Sequence, residues 1–327
     1  MAILLPVAAI LLIVVVANLV DLQEDEKALR RFALVTAVLN ILLLAAGLAL
    51  LLLPAETLSG LNLETANLAA AGWVLIGMAV WAILLSTLPF RQFLARGMAI
   101  DPGSAVHLTA LLLAGYLVGN TALTLTQDVL VELSAAELSV GVVDVLLQQM
   151  GFVVVAFAGS GLFTRRDWQG ALQRIGLVRP TWRQLQWGLL VIAVLVVLQG
   201  LAGGLWALLD PEAAQELGSV NEALLSGFDT PGEWFVLAAA SGLGEEILFR
   251  GAVQPVFGLP LTALLFAIVH VQYGLTPITA VVFLLGLILG LVRRRTNTTV
   301  AVFVHFGYNL VLGLLSLLAL YLQQFVS

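Results

Sequence analysis

Residues 187–209 read Trp-Gly-Leu-Leu-Val-Ile-Ala-Val-Leu-Val-Val-Leu-Gln-Gly-Leu-Ala-Gly-Gly-Leu-Trp-Ala-Leu-Leu, without one Asp, Glu, Lys or Arg. At ~1.5 Å of rise per residue such a segment is a helix of about 34 Å, enough to cross the ~30 Å hydrocarbon core of a bilayer. A segment that crosses lipid must satisfy its backbone hydrogen bonds internally, which leaves a helix as the reading for a continuous apolar run of this length. Working outward, comparable runs fall at about 2–20, 32–53, 68–88, 105–126, 141–163, 234–257, 259–273, 276–292 and 298–323. The expectation is therefore an all-α, polytopic transmembrane helical bundle of about ten spans. Composition agrees: 61% of the 327 residues are apolar and 10% charged, where soluble domains carry roughly 25% charged residues. The first run has no Lys or Arg before it and no evident small-residue cleavage site, so it is expected to be a retained span.

Orientation follows from the Lys and Arg residues, which collect in cytoplasmic loops. Lys27, Arg30 and Arg31 follow the first span, Arg91 and Arg96 the third, Arg165 to Arg183 the fifth, and Arg293 to Arg295 the ninth. The alternate loops carry Glu56, Glu64, Asp128, Glu132, Glu137, Asp210, Glu212, Glu216, Glu222 and Asp229 with no basic residue. Both termini are thus expected on the non-cytoplasmic side, in the plasma membrane of a prokaryote. Within the basic loop 164–186, Trp168 and Trp182, with Trp187 just beyond, suit an interfacial amphipathic stretch or a solvated connector. Basic residues are too scattered for nucleic-acid binding. The absence of Cys removes disulfides, thiolate metal sites and cysteine nucleophiles. We find no internal repeat, which weighs against a secondary transporter.

The seventh run breaks the apolar rule with Gly244-Glu245-Glu246-Ile247-Leu248-Phe249-Arg250. Each ionisable side chain at the bilayer centre costs at least ~2.5–3.5 kcal/mol, so three within two turns demand a reason. Glu246 and Arg250, four residues apart, share a face and can pair. Glu245 is turned by about 100° and meets a different neighbour, free to act as a general base. The bland alternative is that all three only hold helices together. Two of the three His residues lie in the spans that follow: His270 ends Phe266-Ala267-Ile268-Val269-His270, and His305 shares a helical face with Asn309. Counted from the expected cytoplasmic boundaries, Glu245, His270 and His305 lie at similar depths of about 12–18 Å. His107 beside Asp101 is expected to be interfacial. Asp144, Gln148 and Gln149 in the fifth span are candidates for interhelical hydrogen bonding or for lining a water or substrate path.

The ordered set Glu-Glu-x-x-x-Arg (Glu245 to Arg250), Phe-x-x-x-His (Phe266 to His270) and His-x-x-x-Asn (His305 to Asn309) resembles the CPBP intramembrane protease family, which includes type II CAAX prenyl endopeptidases and bacteriocin-immunity-type membrane proteins. The resemblance covers about residues 233–323, within a catalytic-type core at 139–323, with 1–130 as accessory helices of unknown role. It implies an endopeptidase that hydrolyses membrane-associated or lipidated peptides by an activated water, with Glu245, His270, His305 and Asn309 catalytic and Glu246 and Arg250 in support. Two versions stand open. In one, Glu245, His270 and His305 bind a divalent metal, zinc by chemistry, as the family's metalloprotease label suggests. In the other, Glu245 and His270 orient the water while His305 and Asn309 donate to the oxyanion. A catalytically silent scaffold or immunity protein is the alternative, and a transporter a weaker one. Its partners would be a membrane-associated peptide or protein substrate and the bilayer itself.

Overall fold

The structure is a computed structural model that describes residues 4–54, 57, 67–126, 141–274, 276–323 and 325. The acidic residues Glu56, Glu64, Asp128, Glu132 and Glu137, and the boundary between accessory and core helices at 127–140, lie outside the described residues. The described chain is helical throughout, with no β-sheet. Among the described residues eight helices are long and apolar enough to cross a bilayer: α1 (Leu4–Leu22), α2 (Glu26–Leu52), α3 (Leu68–Ser86), α5 (Ala105–Leu125), α6 (Val142–Gly159), α8 (Trp182–Leu209), α13 (Pro277–Arg295) and α14 (Thr298–Gln323). The chain is an integral, multi-pass membrane protein, and the helices follow the apolar runs of the sequence closely.

The expected seventh span is continuous but not uniform. It begins as α10 (Pro231–Glu245), widens into a π-helix over Glu246–Val253 and ends as α11 (Gln254–Phe257). The π segment closes with the Gln254 N–H donating to the Phe249 carbonyl five residues back. Pro255 has no N–H to return to the Gly251 carbonyl. The Arg174 guanidinium supplies that donor at 3.2 Å.

The expected eighth span is corrected. Helix α12 covers only Leu259–Ile268 and gives way to an irregular stretch and a short 3₁₀ turn at Val271–Tyr273. Ten residues at ~1.5 Å each make about 15 Å, half a bilayer core, so α12 does not cross as a helix. Non-helical backbone at such depth is tolerated only inside the protein or beside a water-filled cavity. The short helix ends beside His270, whose ring therefore leaves a helix terminus inside the bundle.

Three short helices join the spans, and the one in the basic loop falls where the sequence offers an amphipathic stretch. Leu88–Leu94 (α4) follows α3, Trp168–Ile175 (α7) lies in the basic loop, and Pro211–Leu225 (α9) lies in the acidic loop. Helix α7 buries Ala171 and Ile175 and stacks Trp168 on Phe157 at 5.2 Å, while α9 buries Leu217 and Val220. These segments are too polar to be read as spans, yet each has one apolar stripe that the bundle covers.

Helices in lipid gain little from hydrophobicity and associate through close packing of small residues. At the contact of α2 and α3, a Cβ added to Gly72 would stand 2.9 Å from the Gly47 carbonyl and from the Leu51 side chain. Gly72→Leu should accordingly lower stability by about 1–3 kcal/mol, read as thermal unfolding in detergent. Gly77→Leu on the same helix, where the added Cβ meets nothing within 4 Å, should change it little.

Candidate active site

The two adjacent glutamates have separate surroundings. Glu246 is fully buried; its Oε1 lies 3.0 Å from Arg250 Nη1 and 2.8 Å from His305 Nδ1. Arg250 is also buried, donates from Nη2 to the Gly286 carbonyl at 3.3 Å and sits 4.1 Å over the Phe266 ring. The ion pair read from the i, i+4 spacing is thus present, and a histidine from α14 joins it. Phe266, fully buried, is the hub: its ring also meets Phe249 at 5.4 Å, His270 at 4.6 Å and His305 at 6.1 Å between centroids.

Glu245 faces elsewhere. Its Oε1 accepts from the Gln149 amide at 3.4 Å, and its Oε2, which has no hydrogen-bond partner, lies 3.9 Å from His270 Nε2. The Glu245 and His270 side chains remain 14% and 21% exposed, whereas Glu246 and Arg250 are sealed at 0% and 1%. Only the first pair keeps appreciable exposure, and within it Glu245 Oε2 is itself buried.

The tautomer of His270 follows from its other nitrogen. Nδ1 lies 2.6 Å from the Phe266 carbonyl, which can only accept, so Nδ1 carries a proton, and in the neutral ring Nε2 then turns a lone pair toward Glu245. Two acceptors therefore face each other across 3.9 Å. A water placed ~2.8 Å from both would see them at about 90°, close to its own bond angle, and could donate one hydrogen to each.

The sequence-derived residues thus divide. Glu245 and His270 come together, and Glu246, Arg250 and His305 come together, with Phe266 touching both histidines. Asn309 is partly exposed one turn along α14 from His305 and makes no side-chain hydrogen bond among the described residues. Of the three donors considered for a metal, His305 meets Glu246 through Nδ1, which leaves Nε2 free and does not by itself decide against ligation. Among the described residues no three His, Asp or Glu side chains gather at metal-ligand spacing. A catalytic zinc takes three protein ligands, so the donor set among the described residues does not fit a metal.

Gln149 of α6 is the partner that the motif reading did not single out. Of the three polar residues noted in that helix, Asp144 and Gln148 are exposed, while Gln149 is buried against Glu245. Gly244 makes the approach possible: a Cβ there would stand 2.8 Å from Gln149 Cβ and 2.9 Å from the Gln149 carbonyl. The signal in the sequence was a polar residue in an apolar helix, shared by its neighbour Gln148, and only the packing of α6 on α10 separates the two. His107 lies apart from this site. It is near the start of α5, where its Nδ1 accepts from the Asp101 backbone N–H at 2.7 Å, as expected of an interfacial residue.

Comparisons with known proteins bear on this region. Residues 228–311 match the family profile described as Rce1-like, type II CAAX prenyl endopeptidase Rce1-like. The chain is also 31% identical over 140 residues to the uncharacterized protein YpbD of Bacillus subtilis (strain 168), covering 41% of this chain and 70% of that protein. No solved structure matches.

Proposed function

Since the chain belongs to the Rce1-like, type II CAAX prenyl endopeptidase family, we propose that it is an endopeptidase that cuts membrane-associated or lipidated peptides within the bilayer of a prokaryotic plasma membrane. The observation that carries this reading is the pair formed by Glu245 Oε2 and His270 Nε2, 3.9 Å apart on two side chains that keep partial exposure beside a sealed ion pair.

The residues divide the work as follows. A water held between Glu245 and His270 donates a hydrogen to each and keeps its remaining lone pairs for the scissile carbonyl. As its oxygen bonds to the carbonyl carbon, Glu245 accepts the proton. The charge on the carbonyl oxygen is met by the Asn309 amide and by His305 in its imidazolium form, which gives Nδ1–H to Glu246 and Nε2–H to that oxygen. Collapse of the tetrahedral intermediate breaks the C–N bond, and Glu245 returns the proton to the leaving amine. Glu246 and Arg250 never touch substrate in this scheme: they fix the orientation of His305 and supply the negative charge beside it.

The test begins in cells. Membrane peptides from cells carrying the wild type and Glu245→Gln are compared by mass spectrometry; uncut precursors should accumulate with the variant. An unchanged profile across growth conditions, with the variant present in the membrane, would sink the protease reading and leave a silent scaffold.

Two further outcomes are expected once a cleaved peptide is in hand. Gln149→Leu removes a hydrogen bond to a charged carboxylate, worth about 1.5 kcal/mol, so kcat should fall roughly tenfold. KM should stay near the wild-type value, because Gln149 touches Glu245 and not the substrate; a rise in KM alone would refute that role. Incubation with a strong zinc chelator should leave turnover unchanged, and metal analysis of purified protein should find no stoichiometric ion. Loss of activity that returned on adding zinc would overturn the metal-free scheme.

A further inference from the structure

A cavity of about 1130 Å³ is lined by Leu248 and Ala252 of the π-helix and not by Glu246 or Arg250. It exceeds the ~300–1,000 Å³ of ordinary small-molecule pockets. Its walls are apolar, with Val7 and Ile10 from α1, Leu113 from α5, Phe152 and Val155 from α6 and Leu248 from the π-helix. It follows α1 from Pro6 to Asp21, about 22 Å at ~1.5 Å per residue, which is deeper than one leaflet of a ~30 Å core. Neither Glu245 nor His270 lines it, so it is not the catalytic cleft.

One end of the cavity is charged in an unequal way. Asp21, Glu24, Asp25, Glu26 and Asp101 line it together with Arg165, Arg166 and Arg174. Most of the acids are engaged. Asp21 accepts from Ser104 at 2.6 Å and pairs with Arg165 at 3.4 Å, Asp25 caps α2 through the Lys27 N–H, Glu26 pairs with Arg30, and Asp101 accepts from the Gly103 N–H at 2.8 Å. Arg166 and Arg174 donate only to backbone carbonyls, of Ser160 and Gly251, and neither has a carboxylate at salt-bridge distance among the described residues. Burial, then the neighbouring Arg166, Arg293 and Arg165, hold the Arg174 guanidinium below the usual arginine range. A half-buried guanidinium among other guanidiniums, above an acyl-sized apolar slot, lacks an anion. Basic pockets between transmembrane helices are suited to anionic headgroups, and a guanidinium fork fits phosphate oxygens bidentately.

We propose that this cavity binds an anionic phospholipid, with its phosphate at Arg166 and Arg174 and its acyl chains along α1, α5 and α6. The bound lipid fills the space between α1 and the π-helix, and so gives the first helices a part in holding the segment that carries Glu246 and Arg250.

The test uses the full-length protein, delipidated in detergent and returned to nanodiscs of phosphatidylglycerol or phosphatidylcholine. Native mass spectrometry after release should show phosphatidylglycerol retained and phosphatidylcholine lost, with thermal stability raised by the first only. Arg166→Gln should weaken phosphatidylglycerol retention about fivefold, the effect of one headgroup cation. Because Arg166 also holds the Ser160 carbonyl, Ala114→Phe serves as an independent variant: its ring enters the slot from α5 and should remove retention while leaving the arginines intact. Inorganic phosphate should not displace the lipid. Equal retention of the two lipids by the wild type, or undiminished phosphatidylglycerol with Ala114→Phe, overturns the proposal.

Discussion

Glu245→Gln should lower kcat by at least about a thousandfold on any cleaved peptide, within the ~10²–10⁴ range that general acid–base groups contribute, while KM and the unfolding temperature stay close to the wild type. The amide keeps the shape of the carboxylate and can still meet Gln149, yet it cannot take a proton from water. The side chain is partly exposed and has one oxygen without a partner, so replacing it removes no structural bond beyond the long contact to Gln149. A variant that retained more than a tenth of the wild-type rate would remove Glu245 from the base position. Glu246 offers the contrast: it is sealed from any reactant, so its substitution should act through stability and through His305.

The second large effect is expected at Arg250. Arg250→Met leaves Glu246 buried without its cation, and breaking a buried pair by removing one partner costs about 3–5 kcal/mol. The loss also removes the donor to the Gly286 carbonyl and the cation over Phe266. The variant should unfold many degrees below the wild type in detergent. Adding Glu246→Gln to it should recover much of the stability, because the orphaned charge is gone. Turnover should not recover, since His305 would no longer face a carboxylate at 2.8 Å. Full recovery of activity in the double variant would show that the ion pair is scaffolding alone.

The sequence made the ion pair legible because i and i+4 on a helix are neighbours whatever surrounds them, and Glu246 and Arg250 in an apolar run had no cheaper partner. It also separated Glu245 from Glu246, since adjacent helical residues diverge by about 100°. It did not show that His305 belongs to Glu246 while His270 belongs to Glu245. Both histidines were placed at one depth, and depth alone does not say which carboxylate each one meets. The π-helix was hidden for a related reason. Gly251 and Pro255 loosen the backbone there, but the donor that steadies the Gly251 carbonyl comes from Arg174, 77 residues away.

The sequence by itself determined the all-helical membrane bundle, because twenty apolar residues in lipid have no other way to satisfy their backbone, and it determined which polar side chains are costly enough to need a use. Tertiary structure decided that α12 stops halfway so that His270 stands at its end, that Gln149 and not Gln148 reaches Glu245, and that the guanidiniums of Arg166 and Arg174 gather above an apolar slot. These depend on how close helices approach and on which face each one turns inward, quantities fixed by packing at residues such as Gly244 and not by the pattern along the chain.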